Sequence, residues 1–175
     1  ALIEMEDGYE FRLSANVIQQ VYPSTVVGLI KSTKKNQGVN ILISPYISDR
    51  TAMICEQNGI GYFDYAGNCW FAGHSIYLSE RGHKNPQPKE YKAVTIFEKS
   101  STVSSLILRE LFLDINKTWR LKYLAEKVNC SIGQVSKVIN YLLDNVWVEK
   151  RKEGYKLTDP ESLLQEWSRV YGKKD

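Results

Sequence analysis

The stretch that most constrains this chain runs over residues 101–158, where the apolar spacing changes period several times in a fixed order. Over residues 101–114, Val103, Leu106, Ile107, Leu111 and Phe112 recur at three- and four-residue intervals, which places them on one face of an amphipathic helix. Thr118, Trp119 and Arg120 suit a short strand, and Leu121, Leu124, Ala125 and Val128 then mark a second helical stripe. Asn129 and Cys130 make the turn, because Asn tolerates the left-handed backbone of a tight corner, and Ser131 can cap a third helix. In that helix Ile132, Val135, Val138, Ile139, Leu142 and Leu143 fall on one side, leaving Gly133, Gln134, Ser136, Lys137 and Asn140 on the others. Residues 146–151 (VWVEKR) and 155–158 (YKLT) read as two strands turning at Lys152-Glu153-Gly154. Pro160 can open a last helix, whose stripe of Leu163, Leu164, Trp167, Val170 and Tyr171 covers the core or pairs two chains into a homodimer.

Helix, strand, helix-turn-helix and basic hairpin, in that order, is the pattern of a winged helix. Ala125 is small where two helices must cross closely, and Val135 and Val138 dock the second helix on the first. The outer face of that second helix, carrying Ser131, Gly133, Gln134, Ser136, Lys137 and Asn140, is expected to enter the major groove of double-stranded DNA. Gln134 and Asn140 can pair with adenine edges, and Lys137 with guanine or phosphate. Lys150, Arg151 and Lys152 at the hairpin tip, with Lys156 across it, would lie along the phosphate backbone and bind by releasing counterions.

Charge and composition point the same way. The formal net charge is +3, and residues 1–97 hold 9 basic and 9 acidic side chains against 14 and 11 in residues 98–175, so the excess lies in the C-terminal part. Residues 81–90 contain Pro86 and Pro88 and no aliphatic side chain, which marks a connection between an α/β domain over 1–90, for sensing, partner binding or dimerisation, and the winged helix over 91–175. At 43% hydrophobic and 25% charged the chain is an ordinary globular protein, and no apolar run approaches the roughly 20 residues that span a bilayer. The acidic start ALIEMEDGYE lacks the features of a secretory signal, and the widely spaced Cys55, Cys69 and Cys130 read as reduced thiols, so a cytoplasmic location is expected. No nucleophile with a base, carboxylate pair, phosphate-binding glycine loop or metal-ligand spacing is present, so no catalytic residue, metal or cofactor is assigned and no enzyme is expected. His74 and His83 read as solvated, and Asp64 and Asn68, four apart across a turn, as partners of local backbone.

The expected class is α+β. In the N-terminal domain, residues 25–32 (TVVGLIKS) and 39–44 (VNILIS) are β-branched and read as a hairpin around the polar loop 33–38. Ser48 can cap a helix reaching Asn58, with Asp49 in its first turn and Gly59 closing it. Strands are expected at 60–65, 69–72 and 75–79, the last two turning at Gly73-His74, and a helix at 14–21 before Pro23.

The segment ILISPYISDRTAMICEQNGIGYFDYAGNCWF, with Pro45, Ala52, Gly59 and the word Asp64-Tyr65-Ala66-Gly67-Asn68, resembles the AbiEi-like antitoxins over residues 39–79; SIGQVSKVINYL also looks like regulators of that group. The resemblance implies a repressor of its own promoter that limits a nucleotidyltransferase toxin partner. Members of that family place the winged helix first, whereas here it follows the other domain. The order strand, hairpin, helix, strand is also similar to a restriction-endonuclease-type core. In that likeness the metal-binding carboxylate and Glu-x-Lys pair are missing, because residues 26–32 read VVGLIKS, so the implied core is degenerate and inactive as a nuclease.

Overall fold

In the computed structural model, which describes residues 2–4, 10–32, 39–73, 75–86, 96–97 and 102–172, two antiparallel strands come first, β1 (Leu2–Glu4) and β2 (Glu10–Val17). The helix expected at 14–21 is therefore absent: residues 14–17 are strand, and 18–21 belong to no helix or strand. Leu13, Ala15 and Val17 alternate with Ser14 and Asn16, a two-residue period that a sheet selects over a helical one. The expected hairpin is absent too. Helix α1 (Pro23–Ser32) occupies residues 25–32, and strand β3 (Val39–Ser44) pairs with β2 in parallel. Parallel neighbours cannot be joined by a tight turn and need a crossover, which α1 supplies. Pro23 stands at its first position, the Thr25 hydroxyl accepts from the Tyr22 amide at 3.3 Å, and Val26 and Leu29, three apart, face the core. The likeness to a nuclease core drew on that hairpin and loses it; the loop 33–38 lies outside the described residues.

Helix α2 (Asp49–Gln57) begins where expected, with the Ser48 hydroxyl accepting from the Thr51 amide, and ends at Asn58 and Gly59, whose φ is +66°. Strand β4 (Gly61–Asp64) then pairs in parallel with β3, and β5 (Cys69–Gly73) and β6 (Ile76–Glu80) continue as an antiparallel meander, giving the sheet order β1-β2-β3-β4-β5-β6. The two helices pack together on one face of this sheet over Val26, Leu42, Ala52, Cys55 and Tyr62. Ile41 and Phe71 form a smaller cluster with Leu13, Ile43, Phe63 and Ile76. Of the Gly73-His74 corner, His74 lies outside the described residues; Ser75 takes a positive φ of +64°.

The chain divides into two compact units, Ala1–Glu90 and Tyr91–Asp175. The second contains α3 (Thr102–Leu113), β7 (Thr118–Trp119), α4 (Leu121–Lys127), α5 (Ile132–Asp144), β8 (Val148–Arg151), β9 (Gly154–Leu157) and α6 (Pro160–Gly172), with β9 central in a sheet of order β7-β9-β8. That element order and strand pairing is the topology of a winged helix, and the molecule as a whole is α+β, as its periodicities imply. The core gathers Ile107, Leu111, Trp119, Leu124, Ile139, Leu142, Trp147 and Leu163. Three residues placed in apolar stripes by spacing face outward instead: Leu106, Ile132 and Leu164 are 37%, 50% and 53% exposed. Each lies at the margin of its stripe, and Ser104 and Leu108 take the inward positions in α3. The eighth strand starts two residues later than its apolar run, because Val146 turns the chain with a positive φ of +59° and Trp147 is driven into the core. Among the described residues no helix is long and apolar enough to cross a membrane.

Candidate nucleic-acid interface

The corner between α4 and α5 is built from local chemistry. The Cys130 amide donates to the Ala125 carbonyl at 3.0 Å, and Asn129 takes the left-handed φ of +51° that reverses the chain. Ala125 is 5% exposed at the crossing, and Val135 and Val138 on α5 are buried beside it in the same core. Ser131 caps α5 reciprocally: its hydroxyl accepts from the Gln134 amide at 3.2 Å, while Gln134 Oε1 accepts from the Ser131 amide at 3.0 Å and from its hydroxyl at 3.1 Å.

With Val135, Val138, Ile139 and Leu142 inside, the outward face of α5 carries Ser131, Gly133, Gln134, Lys137 and Asn140 exposed and Ser136 half-buried. All six sequence candidates on this helix are thus on its solvent side or its edge. Gln134 differs from expectation in what it does: its carbonyl oxygen is committed to the cap, so bidentate pairing with adenine would require it to release Ser131. Asn140 and Lys137 carry no such commitment among the bonds described.

The hairpin β8–β9 presents Lys150, Arg151 and Lys152 exposed. They are not equivalent. Arg151 Nε donates to Glu149 Oε1 at 2.6 Å and its terminal nitrogen forms an ion pair with the same carboxylate, so its charge is offset on the strand face. Lys156 sits on the central strand, half-buried, opposite Glu149 on one side and Thr118 on the other, and so is less available to a backbone phosphate than its hairpin position suggests. Lys150 and Lys152 remain as the open cations of the tip.

Two basic residues escaped the sequence argument. Arg120 Nε donates to the Glu153 carbonyl at 3.3 Å, which brings its exposed guanidinium to the turn of the hairpin from 33 residues away in sequence. Lys117 Nζ lies 4.2 Å from the centroid of the Trp119 ring and 4.5 Å from that of Tyr123, held by two cation–π contacts. Only the pairing of β7 with β9 brings Arg120 here, so spacing carries no signal for it. Gly154 makes that pairing close. Its φ is +149°, and a Cβ there would collide with the Trp119 carbonyl.

No family model, curated protein or solved structure matches this chain.

In the N-terminal unit Asp64 and Asn68 form a buried polar staple. Asp64 accepts from the Ile47 amide at 3.0 Å and from the Asn68 amide and side chain at 2.8 Å each, and Asn68 exchanges bonds with the His83 backbone at 2.9 and 3.0 Å. This is the backbone-bonding role expected of them, extended to two distant segments. His83 is exposed, with Nε2 3.3 Å from Glu80. The three cysteines are unpaired thiols, and burial pushes Cys55 from 9.0 up to about 12 and raises Cys130 as well. No group of three metal-ligating side chains occurs among the described residues.

Proposed function

We propose that this protein binds double-stranded DNA through the outer face of α5 and the β8–β9 hairpin, and that it acts as a cytoplasmic transcriptional regulator, a repressor of its operator. The reading is carried by one observation: α5 is capped at a sharp corner and turns Gly133, Lys137 and Asn140 to solvent while its other face is buried in the core. A helix so placed can enter the major groove, where Asn140 suits an adenine edge and Lys137 guanine or phosphate. Lys150, Lys152 and Arg120 then supply contacts to phosphate, which add affinity regardless of sequence. Replacing Lys137 and Lys152 together by Glu should weaken retention of duplexes selected from a random pool by at least about ten-fold, with the circular dichroism unchanged. Undiminished binding by that variant refutes the reading.

A second reading is that the winged helix is a docking surface for a protein, as in neutralising a toxin of the kind implied by the resemblance of residues 39–79. It draws on the exposed Leu113, which is 77% accessible, and on Ile115 nearby. Under it the chain retains no duplex, and a protein partner protects Leu113 instead; Leu164 on α6 plays the same part for a homodimer.

A further inference from the structure

One acid stands among the cations of the hairpin. Val148 and Leu157 are buried in the core, so the alternation of β8 and β9 turns Glu149, Arg151 and Lys156 together to the outer face. Glu149 lies directly opposite Lys156 across the strand pair. Its Oε1 accepts from Arg151 Nε at 2.6 Å and forms an ion pair with the terminal nitrogen of the same guanidinium. The fold draws little from this pair: the two side chains remain 50% and 43% exposed, and ion pairs at such exposure add little to stability.

A guanidinium binds a carboxylate and a phosphate through the same N–H groups, so Glu149 occupies the donors that Arg151 would turn to a phosphate. Two guanidinium nitrogens share one carboxylate oxygen instead of matching two, so the fork geometry of the strongest arginine pairs is not reached. The pair is a competitor of phosphate more than a clasp of the hairpin. We propose that Glu149 is an autoinhibitory counter-charge in the DNA-binding hairpin: it withholds Arg151 from the phosphate backbone and keeps affinity for any duplex below what the cations of the hairpin allow. This rests on the DNA-binding reading above and adds a regulation of that site. Because phosphate contacts carry no sequence information, the attenuation falls on random and selected DNA alike and leaves recognition to α5.

The test uses the full chain, a duplex selected from random sequence and an unselected duplex of the same length. Glu149→Gln keeps the size of the side chain and removes its charge. It should tighten binding to both duplexes by about ten-fold and steepen the slope of log affinity against log salt by about 0.9, the counterion release of one further phosphate contact. Both gains should require Arg151: in an Arg151→Gln background the same substitution should gain less than about two-fold, the effect of a charge felt only through the screened field. Glu153→Gln removes an equal charge from the turn of the same hairpin, and the described hydrogen bond of Glu153 is made by its backbone carbonyl with Arg120, so this variant too should gain less than about two-fold. The melting midpoint of Glu149→Gln should stay within about 4 °C of wild type. Unchanged or lowered affinity in Glu149→Gln, an equal gain with and without Arg151, an equal gain from Glu153→Gln, or a midpoint that falls further overturns the proposal while DNA binding stands. A wild-type chain that retains no duplex overturns the DNA-binding reading itself, and this one with it.

Discussion

Asp64 shows how much a single buried carboxylate can organise. It is 8% exposed and accepts from Ile47, 17 residues earlier, and from both nitrogens of Asn68, whose side chain in turn holds His83. A charge taken out of water persists only if its lone pairs are met, and here three N–H groups meet them. Asp64→Ala leaves those donors without an acceptor, so it should destabilise the N-terminal unit by about 2–4 kcal/mol in urea unfolding, whereas an effect under about 0.5 kcal/mol would show that the staple is incidental. The four-residue spacing across a turn disclosed the local half of this network. Ile47 and His83 were not legible, because nothing in a linear sequence ties an amide to a carboxylate at that distance. Gln134 teaches the converse: Ser131-x-x-Gln134 is the signature of a reciprocal cap, a signal present in the sequence that outweighs the residue's aptitude for adenine.

Elements with complete local signals form where their residues dictate. Helices α2 and α5 each have a Ser cap, an inward stripe and a left-handed residue beyond or before them, and they begin at the expected residue. The two that exchanged identity, β2 and α1, are short and mixed: VVGLI has β-branched residues that suit a strand and three-residue spacing that suits a helix. The parallel pairing of β2 with β3 decides between them. The hairpin is sensitive at one point. Gly154→Ala sets a methyl against the Trp119 carbonyl, which belongs to backbone and cannot swing aside, so it should cost about 2 kcal/mol or more and splay β7 from β9. Because Arg120 is held to the hairpin turn by that pairing, DNA affinity should fall too; a variant as stable as wild type by thermal melting would show that the turn relaxes freely.

At the scale of the molecule, two buried acids make the N-terminal unit sensitive to alkali. Burial pushes Cys55 from 9.0 to about 12 and Tyr62 from 10.0 to about 12, the latter also donating to Glu56 at 3.1 Å, and both lie in the core of the N-terminal unit. The unfolded chain releases these protons near their ordinary values, while the folded one keeps them until about 12. The stability they allow is therefore intact below about pH 9 and is lost as the pH rises toward 12. Unfolding of the sheet of β1–β6 should begin at lower denaturant at pH 10.5 than at pH 8, and Cys55→Ala should reduce that difference; an unchanged midpoint across this range counts against the burial described. The sequence by itself determined the α+β class, the order of elements from α3 onward, most inward faces and the basic excess of the C-terminal part, because periodicity, capping and charge are properties of residues near one another along the chain. Only the tertiary structure decided that residues 23–32 cross over as a helix, that Arg120 joins the hairpin, and that Ile132 faces out. Those outcomes depend on which strand pairs with which and how far each helix is rolled on its core, and both are set by contacts between segments that the chain brings together only when it folds.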